Sequence, residues 1–245
     1  MNWVTRAVQV VWGLYAWLCF ALACLFALAV TLVVPGLDRR RRWVTFAVKA
    51  MFTMAGVSVD IRGLDNLPAG SCVVVANHAS YVDGFLLRAY LPARFGMVIK
   101  GEMRNIPVVH FLLRRSGSKF VERQEATGSS RDARQIVKAA LGGESLAVFP
   151  EGTFHLQPGI HRFRAGAFVA ATKGGMPVVP VAISGTRDML PAQRLMPRNT
   201  ELTMDILPAI APGDDAFAKS RMLAEAARQR ILAALDEPDL LHESQ

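Results

Sequence analysis

Apolar and polar positions divide the chain into two unlike parts. From Ala7 to Leu37 there is no charged residue, and such a run exceeds the roughly 20 residues a helix needs to cross a bilayer. It is apolar all round. Arg39-Arg40-Arg41-Arg42 follows at once, and then a second helix-length apolar run from Trp43 to Ala55 whose one charge is Lys49. This second run is too short to span comfortably. After Gly56 the pattern changes to short β-branched runs separated by longer stretches of helical period. Strands are predicted near Val57–Ile61, Cys72–Ala76, Phe95–Ile99, Lys119–Val121, Leu146–Phe149, Val178–Ile183 and Leu202–Ile206. Helices are predicted at Val82–Tyr90, Ile106–Leu113, Arg131–Leu141, Ala165–Lys173 and Phe217–Leu235, with Gly142-Gly143 and Gly174-Gly175 as helix stops. In the last helix Met222, Leu223, Ala226, Ile231 and Leu232 lie opposite Arg221, Glu225, Arg228 and Arg230, the pattern of a helix packed on a domain. The tail after Asp236 is expected to be loose. The alternation predicts an α/β fold: one domain with a mixed sheet and flanking helices over 56–245, preceded by a helical membrane anchor over 1–55.

Charge narrows the partners. The net charge of +8 and pI near 9.9 favour anionic surfaces, and because the chain is 52% hydrophobic with much of the excess near its start, anionic membrane lipid leads and nucleic acid is not expected. Four consecutive arginines outweigh Arg6, so the body of the protein is expected to face the cytoplasm from the inner membrane. A single crossing and a helical hairpin lodged in one leaflet, with the arginines at the headgroups, both fit. A cleavable signal peptide fits poorly, because the apolar run is longer than the usual core of about 7–15 residues. Cys19, Cys24 and Cys72 form no disulfide or zinc-binding pattern.

The chemistry concentrates in two turns. Asn77-His78-Ala79-Ser80-Tyr81-Val82-Asp83 follows an apolar strand and sets an imidazole and a carboxylate five positions apart. A carboxylate bonded to one imidazole nitrogen fixes the tautomer and leaves the other nitrogen free to take a proton. The competing structural reading makes His78 a core histidine, Ser80 or Asp83 a helix cap, and Asn77 a strand terminator. Phe149-Pro150-Glu151-Gly152-Thr153 follows a second apolar run; it is an ordinary turn by default, but its carboxylate is suited to accept bonds from a polyol or to hold an arginine that clamps phosphate. From Arg94 to Arg134 nine basic residues face four acidic ones, a net +5, and Lys100 and Arg123 at strand ends are the candidates for a substrate phosphate. His110, His155, His161 and His242 have no metal-like spacing, and no GxSxG, GxxxxGK[ST], HExxH or GxGxxG sequence occurs. A cofactor-free transfer reaction is the expectation.

The chain resembles the membrane-bound glycerolipid acyltransferases, most closely the 1-acylglycerol-3-phosphate acyltransferases. Residues 77–83 match their NHxxxxD block, Gly117–Arg123 is similar to the second block, Phe149–Thr153 matches the third and Val178–Val181 resembles the fourth. The third block usually continues Thr-Arg-Ser, whereas this chain has Thr153-Phe154-His155; Arg162 or Arg164 is the expected substitute if the missing arginine holds phosphate. The resemblance implies that His78 deprotonates an acceptor hydroxyl, that Asp83 orients it, and that the alkoxide attacks a thioester of coenzyme A or acyl carrier protein without a covalent acyl-enzyme. Asn77, Lys100, Arg123, Glu151, Gly152 and Thr153 are then the expected substrate-binding residues, with no metal and no cofactor. The expected acceptor is lysophosphatidate; a lyso-ornithine lipid or another lysophospholipid is the alternative. Water as acceptor, and a non-catalytic lipid-binding protein, are the remaining readings.

Overall fold

The computed structural model describes residues 3–121, 126–154 and 156–241, with the backbone alone for 126–133. Helix α1 (Trp3–Val33) and helix α2 (Leu37–Met54) form an antiparallel hairpin, turned at Pro35-Gly36 with Gly36 at φ 83°. Trp12 Nε1 donates to Ala55 O at 3.0 Å and Tyr15 Oη to Met54 O at 3.0 Å, which ties the open end. Phe26 packs edge-on against Trp43 and Phe46 nearer the turn. By length and composition α1 suffices to cross a membrane, and most of its large side chains, from Val8 through Leu25 to Val33, are exposed.

The remaining chain is an α/β domain. Strands β1 (Val59–Arg62), β2 (Val73–Ala76), β3 (Gly96–Lys100), β4 (Lys119–Val121), β5 (Leu146–Val148), β6 (Val178–Ser184) and β7 (Leu202–Ile206) form one sheet in the order β1-β7-β6-β2-β5-β3-β4. All neighbours are parallel except β6 and β7. The seven expected strands and the mixed sheet are therefore present. β2 is central and buried on both faces, which its unbroken run of small and β-branched apolar residues suits. Its alternate residues feed two cores. Val74 and Ala76 meet Val44, Val48 and Phe52 of α2 with Leu86 and Leu87 of α3 (Val82–Tyr90). Val73 and Val75 meet Ile136 of α5 (Ala126–Leu141), Phe168 and Ala171 of α6 (Gly166–Gly174) and Leu223 and Ile231 of α8 (Ser220–Ala233). Two further helices, α4 (Pro107–Arg115) and the short α7 (Thr186–Met189), follow β3 and β6.

Three expectations are corrected by this packing. First, the division at residue 55 does not separate anchor from domain: α2 buries Val44, Ala47, Val48 and Phe52 in the domain core. Second, the arginine cluster is not uniformly at the surface. Arg41 is buried, donating to Ser116 O, Arg94 O and Gly117 O at 3.0–3.2 Å, in a space that a Cβ at Gly117 would invade. Third, the tail is held as far as residue 241. Ile160 N donates to Pro238 O, Leu240 N donates to Ile160 O, and Arg228, placed on the polar face by helical period, is fully buried and paired with Asp239.

Candidate active site

Strands β2, β3, β4, β5 and β6 run in one direction, so the loops leaving their carboxyl ends gather along one edge, where ligands bind in open α/β sheets. His78 leaves β2 there and Glu151 leaves β5. His78 Nδ1 lies 2.8 Å from Asp83 Oδ2, and the two side chains are 16% and 0% exposed. The carboxylate beside Nδ1 assigns the proton to that nitrogen and leaves the lone pair on Nε2. A five-residue loop closes this pair because Asp83 Oδ2 also accepts the backbone N–H of Ala79 at 2.7 Å and of Ser80 at 2.8 Å. Ser80 serves the helix start separately: its Oγ accepts from Val82 N at 3.2 Å and donates to Leu190 O at 2.6 Å. The imidazole–carboxylate pair and the bond to the helix start are both present, one on Asp83 and the other on Ser80.

Glu151 is 7% exposed, and its two oxygens accept the backbone N–H of His78 at 2.8 Å and of His161 at 3.0 Å. It braces the loop that carries His78 where a headgroup contact was expected. Burial pushes its pKa up to about 7, against the downward pull of those two N–H bonds, with nearby Glu237 and Asp83 adding to the rise. Gly152 closes the turn by donating from its N to Phe149 O at 3.1 Å and sits at φ 89°, a conformation open to glycine. Thr153 beside it is exposed.

Asn77 is bonded to the backbone of the neighbouring strand. It is buried, its Nδ2 donates to Ile183 O at 2.9 Å and its Oδ1 accepts from Ile183 N at 2.8 Å, so the amide extends the β2–β6 pairing by one rung. Lys100 ends β3, two strand positions or about 10 Å from β2, and pairs with Glu102 at 2.7 Å. Arg123 lies outside the described residues, as do His155 and His242. Other members of the basic middle hold structure: Lys119 pairs with Glu144, Arg115 donates to Thr31 O and Arg104 to Phe120 O. Arg162 and Arg164 are exposed on the segment after Glu151, and Arg164 N donates to Pro150 O at 2.9 Å.

Sequence reasoning missed the rings. His78 stacks on Phe149 with centroids 4.1 Å apart, and Phe154 meets its edge at 4.6 Å while also packing against Tyr81 at 4.7 Å. The residue standing where the third block departs from the resembled pattern thus touches the imidazole itself. Among the described residues no group of three or more His, Cys, Asp or Glu is placed to hold a metal ion.

A family model described as Acyltransferase matches residues 58–184. A 1-acyl-sn-glycerol-3-phosphate acyltransferase of Chlamydomonas reinhardtii is 28% identical over 85% of this chain, and a lyso-ornithine lipid O-acyltransferase of Pseudomonas aeruginosa is 33% identical over 56%. The chain spans 63% and 52% of the lengths of those two relatives. The crystal structure of a 1-acyl-sn-glycerophosphate acyltransferase from Thermotoga maritima superposes with a TM-score of 0.76 at 24% identity, covering 94% of this chain and 96% of that one. It shares the fold.

Proposed function

The chain belongs to the acyltransferase family, and on that premise we propose that it moves a fatty acyl group from an acyl thioester to the free hydroxyl of 1-acylglycerol 3-phosphate, giving phosphatidate. The observation that carries this reading is the His78–Asp83 bond with the second imidazole nitrogen left available. Nε2 takes the proton of the acceptor hydroxyl as its oxygen attacks the thioester carbonyl, and Asp83 stabilises the imidazolium that forms. The tetrahedral adduct collapses, the C–S bond breaks, and the imidazolium returns its proton to the leaving thiolate. Phe149 and Phe154 pack against His78, and Tyr81 against Phe154, so apolar rings adjoin the base where the acyl chain would approach. Coenzyme A or acyl carrier protein is the donor, Lys100 and Arg123 attract the acceptor phosphate, and α1 keeps the protein in the membrane with the site on the cytoplasmic side.

Phe154 favours a second reading, in which the acceptor is a lyso-ornithine lipid or another lysophospholipid: an uncharged ring rather than a cation lies against His78, and one relative bears the lyso-ornithine name. The test is to incubate the detergent-solubilised protein with a labelled long-chain acyl thioester and either lysophosphatidate or lyso-ornithine lipid, with His78→Ala in parallel. Phosphatidate formed by the intact protein and reduced about 10²- to 10⁴-fold by His78→Ala supports the proposal. Acylation of lyso-ornithine lipid alone transfers support to the second reading, and free fatty acid alone identifies a hydrolase.

A further inference from the structure

We infer that the C-terminal strap, residues 237–241, positions the candidate site: through Glu237 and its neighbours it fixes residues 157–161, which present the His161 N–H that holds Glu151 and, through Glu151, the backbone of His78. The backbone of 157–161 is irregular, and its polar groups find no partners in a helix or sheet ladder. Three of these groups, Gly159 N, Ile160 N and Ile160 O, are answered from the end of the chain, and Arg228, Arg187 and Glu151 answer others. Glu237 Oε2 accepts from Gly159 N at 2.6 Å, Pro238 O accepts from Ile160 N at 3.0 Å, and Leu240 N donates to Ile160 O at 3.4 Å. Arg228, closed off by Asp239, donates to Ile160 O at 2.9 Å and to His161 O at 3.1 Å. Arg187 bridges Glu237 and the carbonyl of Gln157. Leu240 lies against Gly159 so closely that a Cβ there would fall 2.5 Å from its Cγ.

The N–H of His161 lies 3.0 Å from Glu151 Oε2, and the other oxygen of Glu151 holds His78 N at 2.8 Å. Two bonds therefore connect the strapped loop to the loop bearing the imidazole. Glu237 touches neither substrate nor imidazole in this scheme; it is a positioning residue, and its effect on rate rests on the reading of His78 as the base.

Glu237→Ala removes the acceptor for Gly159 and the partner of Arg187, while Glu237→Gln keeps one oxygen for Gly159. Amide hydrogen exchange by mass spectrometry and steady-state acyl transfer are compared for both variants and the intact protein. The expected result for Glu237→Ala is about tenfold faster exchange in peptides covering 157–161 and 77–80, with peptides of β6 and β7 unchanged. With it, kcat falls about tenfold, KM for both substrates stays within about twofold, and Glu237→Gln recovers most of the loss. Faster exchange confined to 157–161, or a uniform rise across the sheet, or an unchanged kcat overturns the inference. An intact protein that transfers no acyl group counts against the proposed function, and the exchange at 77–80 then decides the strap independently. If Glu237→Ala fails to fold, Leu240→Ala, which removes packing and leaves every polar partner in place, is read against the same outcomes.

Discussion

Replacing Glu151 by glutamine separates holding the site from folding the chain. Both carboxylate oxygens accept a buried backbone N–H, whereas glutamine offers one oxygen and one NH₂. One donor must then face another, at a cost of about 1–3 kcal/mol. If the backbone of His78 moves to relieve it, that energy appears in the barrier, and acyl transfer slows by about 5- to 150-fold. Stability follows a different course. The folded pKa of Glu151 is about 7 against an ordinary 4.5, so between those values the folded protein holds the proton more tightly than the unfolded chain. The contribution is fully present below about pH 4.5, is lost as the pH rises through about 7, and is level above it, a decline of roughly 3 kcal/mol. Glutamine does not titrate, so the variant lacks this decline. Thermal midpoints of the solubilised protein from pH 5 to 8 and initial rates at pH 8 measure both effects. The intact protein's midpoint should fall toward the variant's as the pH rises, while the variant stays the slower enzyme. Parallel pH dependence in the two proteins, or full activity in the variant, refutes the reasoning.

Three other substitutions probe neighbouring contacts. Asp83→Asn weakens the hold on the imidazole tautomer and should lower kcat by at least about 10²-fold with little change in KM, measured by steady-state kinetics. Asn77→Ala strips Ile183 of both amide partners and should cost about 1–3 kcal/mol in denaturant unfolding; unchanged stability with a raised acceptor KM would restore it to the substrate-binding residues. Arg41→Met leaves the carbonyls of Arg94, Ser116 and Gly117 without their donor, and a loss of about 1–3 kcal/mol is expected by the same measurement.

What could be read along the chain was what depends on near neighbours. β4 and β7 occupy the expected Lys119–Val121 and Leu202–Ile206, and α3 spans the expected Val82–Tyr90. The His78–Asp83 pair was also legible, since its spacing closes over one loop into one helix turn. What escaped was set by distant partners. Asn77 reads as a polar residue at a strand end, but the Ile183 backbone that consumes it lies 106 positions away. Arg228 obeys helical period and is nevertheless buried, because the carbonyls of Ile160 and His161 need a donor there. Hydropathy could not assign α2, because lipid and a protein core reward the same Val44, Val48 and Phe52. Phe154 was visible as a departure from the resembled block, while its contact with the imidazole required the fold.

The central place of β2 has a consequence for synthesis. Its two ladder partners are β5 and β6, and the bond from Asn77 to Ile183 closes a separation of 106 residues. At translation rates of about 5–20 residues per second, that strand leaves the ribosome roughly 5–20 s before its last partner exists. Through this interval the four apolar residues Val73–Ala76 keep one edge open to pairing with any other chain, and until β5 is made they keep both open. The centre of the finished sheet is thus apolar backbone that a nascent chain must shield until β6 is made, while the edge strand β1 waits longer still for β7.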